Sequence, residues 1–274
     1  YVAGAILQNK HTAYYITIDD LRKWHDNKKQ RDMKTNIKIR NLSKNTDRID
    51  ELIEKTDYLI IISGVHTPGK YLSALPGTLL EAKNLMSAFK CKKILAGPAA
   101  ECGSGLYGGK VVQINFEGFD LVVPNLEYKF GELLKNNFTS DVHCSTDFSK
   151  IREIAITGAE IVDQYYSEKK FLIAEIETTK GCDRKVACSF CTEPLKSRYF
   201  GRNKEDIFDE MLSLKKKGII NFRLGKQTDF YSHDEEYINY LLKRIHEEIK
   251  PKVLHIDNVN PAAVTEEKTK LIVK

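Results

Sequence analysis

The run Tyr58-Leu-Ile-Ile-Ile62 constrains the fold more than any other feature of the chain. Five consecutive apolar residues closed by Ser63-Gly64 predict a strand covered on both faces. Such strands belong to parallel sheets, whose crossover helices supply the cover. The flanking pattern agrees: Arg48 to Lys55 and Leu79 to Phe89 carry apolar residues at helical spacing, while Lys93-Ile-Leu-Ala-Gly97 is a further strand. Tyr14 to Ile18 predicts an earlier strand ending in Asp19-Asp20, and Val111 to Phe116 with Phe119 to Val123 predicts another strand or a hairpin. Alternating strands and helices make residues 1–136 an α/β domain.

The polar stretch after Asn136 predicts a linker, and 150–166 a bridging helix, so that 137–170 joins two domains. The second domain, 171–274, repeats the α/β alternation. Strands are expected at Phe171–Glu177, Ile220–Leu224 and Val253–Asp257. Helices are expected at 204–217, ended by Gly218, and at 235–249, stopped by Pro251, with a last one from about Thr265. The chain holds 42% hydrophobic and 30% charged residues, which excludes wholesale disorder. No run approaches the roughly 20 apolar residues of a membrane-spanning helix, and no signal-peptide pattern opens the chain, so a soluble cytoplasmic protein without a membrane partner is expected.

Six cysteines are too few for a disulfide scaffold, so their spacing carries the information. Cys91, Cys102 and Cys144 are scattered and read as small buried hydrophobes. Cys182, Cys188 and Cys191 fall within one loop, just past the first strand of the second domain, at the strand end where β/α barrels build their sites. Three such thiolates can wrap one soft metal centre and leave one position open. A structural zinc site wants four closed ligands, and no fourth Cys or His follows at short spacing; a distant Cys144 or His233 would have to complete it.

Glu177-Thr-Thr-Lys-Gly-Cys182 leading into Cys188-Ser-Phe-Cys191 resembles the radical S-adenosylmethionine (SAM) superfamily. The first two cysteines are separated by five residues instead of the family's usual three, a spacing some members share. The resemblance implies a 4Fe-4S cluster on Cys182, Cys188 and Cys191, with SAM on the open iron and Phe190 beside the adenine. It further implies reductive SAM cleavage, an electron-donating reductase or ferredoxin-type partner, and an anaerobic setting. Leu224-Gly-Lys-Gln-Thr-Asp229 stands where the family carries its SAM-amine motif, so by position Gly225, Gln227 and Asp229, with Asp257 and Asn258 at the third strand's end, are candidate cofactor contacts.

An α/β domain ahead of such a barrel is similar to the cobalamin-binding subclass and to archaeal proteins with the same plan. The implied architecture is a Rossmann-like, cobalamin-binding-like domain followed by a partial TIM-type β/α radical SAM barrel. Ser63 to Gly69 and Gly97 to Gly109 would then meet a corrinoid, and methylation of an unreactive carbon is the implied chemistry; His66 reads as turn chemistry rather than as a cobalt ligand. Only about three of six barrel units fit in 171–274, and Tyr1 stands in place of Met, so a trimmed chain is expected.

Two readings compete with this one. A cobalamin-independent radical SAM enzyme of cofactor or tRNA modification uses the same cluster. A zinc-stabilised RNA-binding module would instead use the ten Lys and Arg between Arg22 and Arg48, although Trp24 is the one aromatic there for base stacking. No catalytic residue can be named. Alternation adds that Glu175 with Glu177, and His255 with Asp257, share a polar strand face with Arg223.

Overall fold

The computed structural model describes residues 1–29, 41–64, 77–102, 104–105, 112–113, 116–142, 150–166, 168–186, 188–189, 199–225 and 227–273. The chain divides into two compact α/β units, Tyr1–Asp147 with Asp163–Ser167, and Phe148–Val162 with Glu168–Lys274.

In the first unit, β1 (Tyr58–Ile62), β2 (Lys92–Ala96) and β5 (Leu121–Val122) form a parallel sheet in the order β1-β2-β5. The central strand is the sealed one: Ile94, Leu95 and Ala96 have no exposed surface, whereas Ile62 on the edge strand β1 is 55% exposed. The most apolar run in the sequence is therefore not the most buried strand, because edge position outweighs composition. The described helices of this unit are α1 (Val2–Gln8), α2 (Ile18–Lys29), α3 (Ile49–Lys55), α4 (Leu79–Met86), α5 (Pro98–Cys102) and α6 (Leu126–Lys135). β3 (Ser104–Gly105) pairs antiparallel with β4 (Val112–Gln113), so the two segments expected as one strand or hairpin belong to different sheets.

The strand expected at Tyr14–Ile18 is absent, since those residues lead into α2. Thr17 caps that helix reciprocally: its backbone N–H donates to Asp20 Oδ2 at 2.7 Å, and the Asp20 N–H donates to Thr17 Oγ1 at 3.2 Å. Asp20 is fully buried and also accepts from the Ser43 N–H at 2.9 Å and the Thr46 hydroxyl. The polar pair that looked like a strand end is a helix start. The stretch expected as a linker begins by anchoring Phe138, which packs on Tyr58 and Phe130 with ring centroids 4.5 and 5.5 Å away.

In the second unit, β6 (Ile173–Glu177), β9 (Asn221–Gly225) and β10 (Val253–Ile256) form a parallel sheet in chain order. α7 (Ile151–Gly158), continued by a 3-10 turn to Gln164, precedes it, and α8 (Lys204–Lys216), α9 (Glu235–Arg244) and α10 (Glu266–Val273) follow. Asn203 caps α8 by accepting from the Glu205 N–H, and Asp234 caps α9 by accepting from the Tyr237 N–H. Gly218, at φ +92°, ends α8 as expected, with the Ile219 N–H returning to the Leu214 carbonyl at 3.1 Å. Past Arg244, α9 widens into a π-turn over Ile245–Ile249 before the Pro251 stop.

One face of this sheet is apolar. Ile176, Phe222 and Leu224 are sealed there against Ile207, Phe208 and Met211 of α8, Ile238 and Leu241 of α9, and Ile245 of the π-turn. Each such side chain contributes roughly 1.5–3 kcal/mol through burial. The alternate residues form rows across the other face: Ile173, Asn221 and Val253 at the amino ends, then Glu175, Arg223 and His255.

Candidate functional site

The cysteine loop is built from the carboxyl end of β6. Two residues past that strand, β7 (Thr179–Lys180) pairs antiparallel with β8 (Phe200–Gly201), so 181–199 leaves and returns through one two-residue ribbon. Arg202 locks the base. Its backbone N–H donates to the Thr178 carbonyl at 2.9 Å, its Nη1 to the Glu177 carbonyl at 2.9 Å, and its guanidinium pairs with Glu210 of α8 at 2.8 Å. Both side chains of that ion pair are buried.

Cys182 and Cys188 are half-buried and form no disulfide. Arg184 Nη1 lies 3.0 Å from Cys188 Sγ, a cationic donor suited to a thiolate. Thiolate sulfur is the ligand type that soft metals select. Cys191 and Phe190 lie outside the described residues, and among those described no three His, Cys, Asp or Glu side chains converge on a point that would hold a metal.

The loops after β9 and β10 sit beside this loop and are held to it. The Thr228 hydroxyl donates to the Gly181 carbonyl at 3.0 Å, and Arg184 Nη2 donates to Asn260 Oδ1 at 2.6 Å. Gln227 braces the junction: it accepts from the Thr178 hydroxyl, and its Nε2 donates to the carbonyls of Leu224 at 2.9 Å and Asp257 at 2.6 Å. Asn258, with φ at +55°, donates to the Gln227 carbonyl at 2.8 Å. Asp229 Oδ1 accepts from the N–H groups of Tyr231 and Asn260, both at 2.9 Å. The side chains of Gln227, Asn258 and Asp229 thus hold the loops in shape. Gly225 serves differently, since a Cβ there would lie 2.5 Å from Glu175 Oε1. Asp257 pairs with Arg223, which also lies 3.6 Å from Glu175.

His233 packs at the same base. Its ring stacks on Tyr237 at 3.8 Å, its Nε2 is buried without a hydrogen-bond partner, and burial pushes its pKa down to about 4. Tyr199 donates to Ser232 Oγ at 2.9 Å, and burial raises its phenol. Sequence reasoning missed Thr178, Tyr199, Arg202, Glu210 and Thr228, because no local pattern distinguishes a buried brace from a surface polar residue.

In the first unit, the loops expected to meet a ligand lie partly outside the described residues, including His66 and Gly69. Where described, the small residues meet each other. A Cβ on Gly64, at φ +87°, would lie 2.5 Å from the Ala99 nitrogen, and one on Gly97, at φ +79°, 2.9 Å from the Ser63 carbonyl. Gly97 leads directly into α5, with Pro98 as its first residue. Of the described basic residues, Arg22 pairs with Asp19 and Glu81, Lys23 lies 3.6 Å from Asp47, and Arg48 pairs with Glu51. Residues 30–40 lie outside the description. No described helix is long and apolar enough to cross a membrane.

Two archaeal proteins are similar to this chain. An uncharacterised protein of Methanocaldococcus jannaschii is 39% identical over 242 residues, covering 79% of this chain and 44% of its own length. An uncharacterised protein of Archaeoglobus fulgidus is 31% identical over 278 residues, covering 97% of this chain and 45% of its own length. The chain spans less than half the length of these relatives. No model of a known protein family matches it.

Proposed function

We propose that this chain carries the cluster-binding part of a radical SAM enzyme, with Cys182, Cys188 and Cys191 holding a 4Fe-4S cluster. The observation that carries the reading is the placement of the cysteine loop, closed at its base by β7 and β8 and projecting from the carboxyl end of the first strand of a parallel sheet. When bound, the cluster supplies the electron that cleaves SAM to methionine and a 5'-deoxyadenosyl radical.

The barrel is part of the proposal. Strand order follows chain order and α8 and α9 pack on the same face, whereas a doubly wound sheet reverses its order and places helices on both faces. β6, β9 and β10 are then the first three units of a barrel. The face carrying Glu175, Arg223, Glu177 and Asp257 lines its lumen, with Ile173 and Val253 at the bottom. Within that lumen Arg223, held between Glu175 and Asp257, orients a polar ligand, and Gln227 keeps the loops in register with the cysteines. Gly225 leaves its space to the Glu175 carboxylate. Cobalamin-dependent methylation would need a corrinoid at the ends of β1 and β2, where Gly64 and Gly97 are occupied by contacts with Ala99 and Ser63.

The test is chemical. Full-length protein, purified and reconstituted with iron and sulfide without oxygen, is incubated with dithionite and SAM. Release of 5'-deoxyadenosine that disappears in Cys188→Ala supports the reading; equal release by the variant, or none by the wild type with its cluster in place, contradicts it.

A further inference from the structure

Among the described residues of the cysteine loop, Arg184 makes a contact from both ends of its fork. Nη1 reaches Cys188 Sγ at 3.0 Å and Nη2 reaches Asn260 Oδ1 at 2.6 Å. Asn260 is itself fixed. Its backbone N–H donates to the buried carboxylate of Asp229 at 2.9 Å, and its Oδ1 also accepts from the Ala262 N–H at 3.2 Å, capping the turn Pro261–Ala263. Arg184 is solvent-exposed, and its bond to the braced Asn260 orients the guanidinium towards Cys188, so part of the side-chain entropy of the N–H···S contact is already lost. Hydrogen bonds and positive charge at the ligating sulfurs stabilise the more negative, reduced form of an iron–sulfur cluster.

Resting on the cluster reading above, we propose that Arg184 is a positioning residue that sets the reduction potential of the cluster through Cys188, and that Asn260 on the loop after β10 holds it there. The loop that closes the third β/α unit is thereby coupled to the electronics of the centre on the first. Lys180 lies instead 4.0 Å from Glu177.

The experiment compares wild type with Arg184→Gln, Arg184→Lys and Asn260→Ala, all full-length, reconstituted without oxygen and assayed for iron and sulfide per chain. The midpoint potential of each is then read by electron paramagnetic resonance during a reductive titration. The expected result is full loading throughout, with the potential of Arg184→Gln shifted negative. Arg184→Lys recovers part of the shift, and Asn260→Ala shows a smaller shift in the same direction. A fully loaded Arg184→Gln cluster at the wild-type potential overturns the proposal. Poor loading in the Arg184 variants alone also overturns it, making the residue a scaffold for assembly. Failure of the wild type to take up iron and sulfide overturns the cluster reading itself, a separate outcome.

Discussion

Arg202 and Glu210 form an ion pair at 2.8 Å with side chains only 2% and 6% exposed, and it sits where the cysteine loop rejoins the scaffold. A charge left alone in such a place cannot be rehydrated. Glu210→Ala is therefore expected to destabilise the protein by about 3–5 kcal/mol, while replacing both partners with apolar residues of similar volume costs far less. Urea denaturation of the single and double variants measures the difference. Equal losses in both would show that the pair's own attraction, rather than the unpaired charge, dominates.

Gly64 and Gly225 would each place a Cβ 2.5 Å from another atom, yet their substitutions should differ. At Gly225 the obstacle is Glu175 Oε1, the far end of a side chain able to swing away. At Gly64 it is the Ala99 backbone nitrogen, and φ is +87°. Gly64→Ala is expected to cost at least about 1–3 kcal/mol from backbone conformation alone. Gly225→Ala is expected to leave thermal stability nearly unchanged while displacing Glu175 from Arg223. Thermal midpoints of the two variants decide it.

His233 makes stability depend on pH. Burial pushes its folded pKa down to about 4, below the ordinary value of about 6.5 in the unfolded chain. Between those values the unfolded state binds the proton, so this contribution is complete above about pH 6.5 and is lost as pH falls towards 4, by up to about 3 kcal/mol. His233→Phe keeps the aromatic stack on Tyr237 and removes the titration. The expected outcome is a thermal midpoint that drops between pH 7 and 5 in the wild type and drops less in the variant.

What could be read in the sequence was what local rules dictate. The three strands of the second unit and the cap at Gly218 follow from alternation and from the residue that tolerates positive φ. Tyr14 to Ile18 has the composition of a strand, but its backbone is claimed elsewhere: the Tyr15 N–H donates to Gln164 Oε1 at 2.7 Å, and its carbonyl accepts from Asn45 Nδ2 at 2.9 Å. Those partners lie 149 and 30 residues away, beyond any window of periodicity. The site divides in the same way. The clustered thiols announce themselves by spacing, whereas Arg202 and Glu210 matter only because the fold buries them together, and Gln227, chosen by position as a ligand contact, has its amide engaged in bracing.

The central claim is tested most directly by the metal itself. Full-length protein isolated without oxygen and assayed for iron, acid-labile sulfide and zinc is expected to hold about four irons and four sulfides per chain, lost together in Cys182→Ala and Cys188→Ala. One tightly held zinc without sulfide would contradict the account and favour the non-catalytic RNA-binding module.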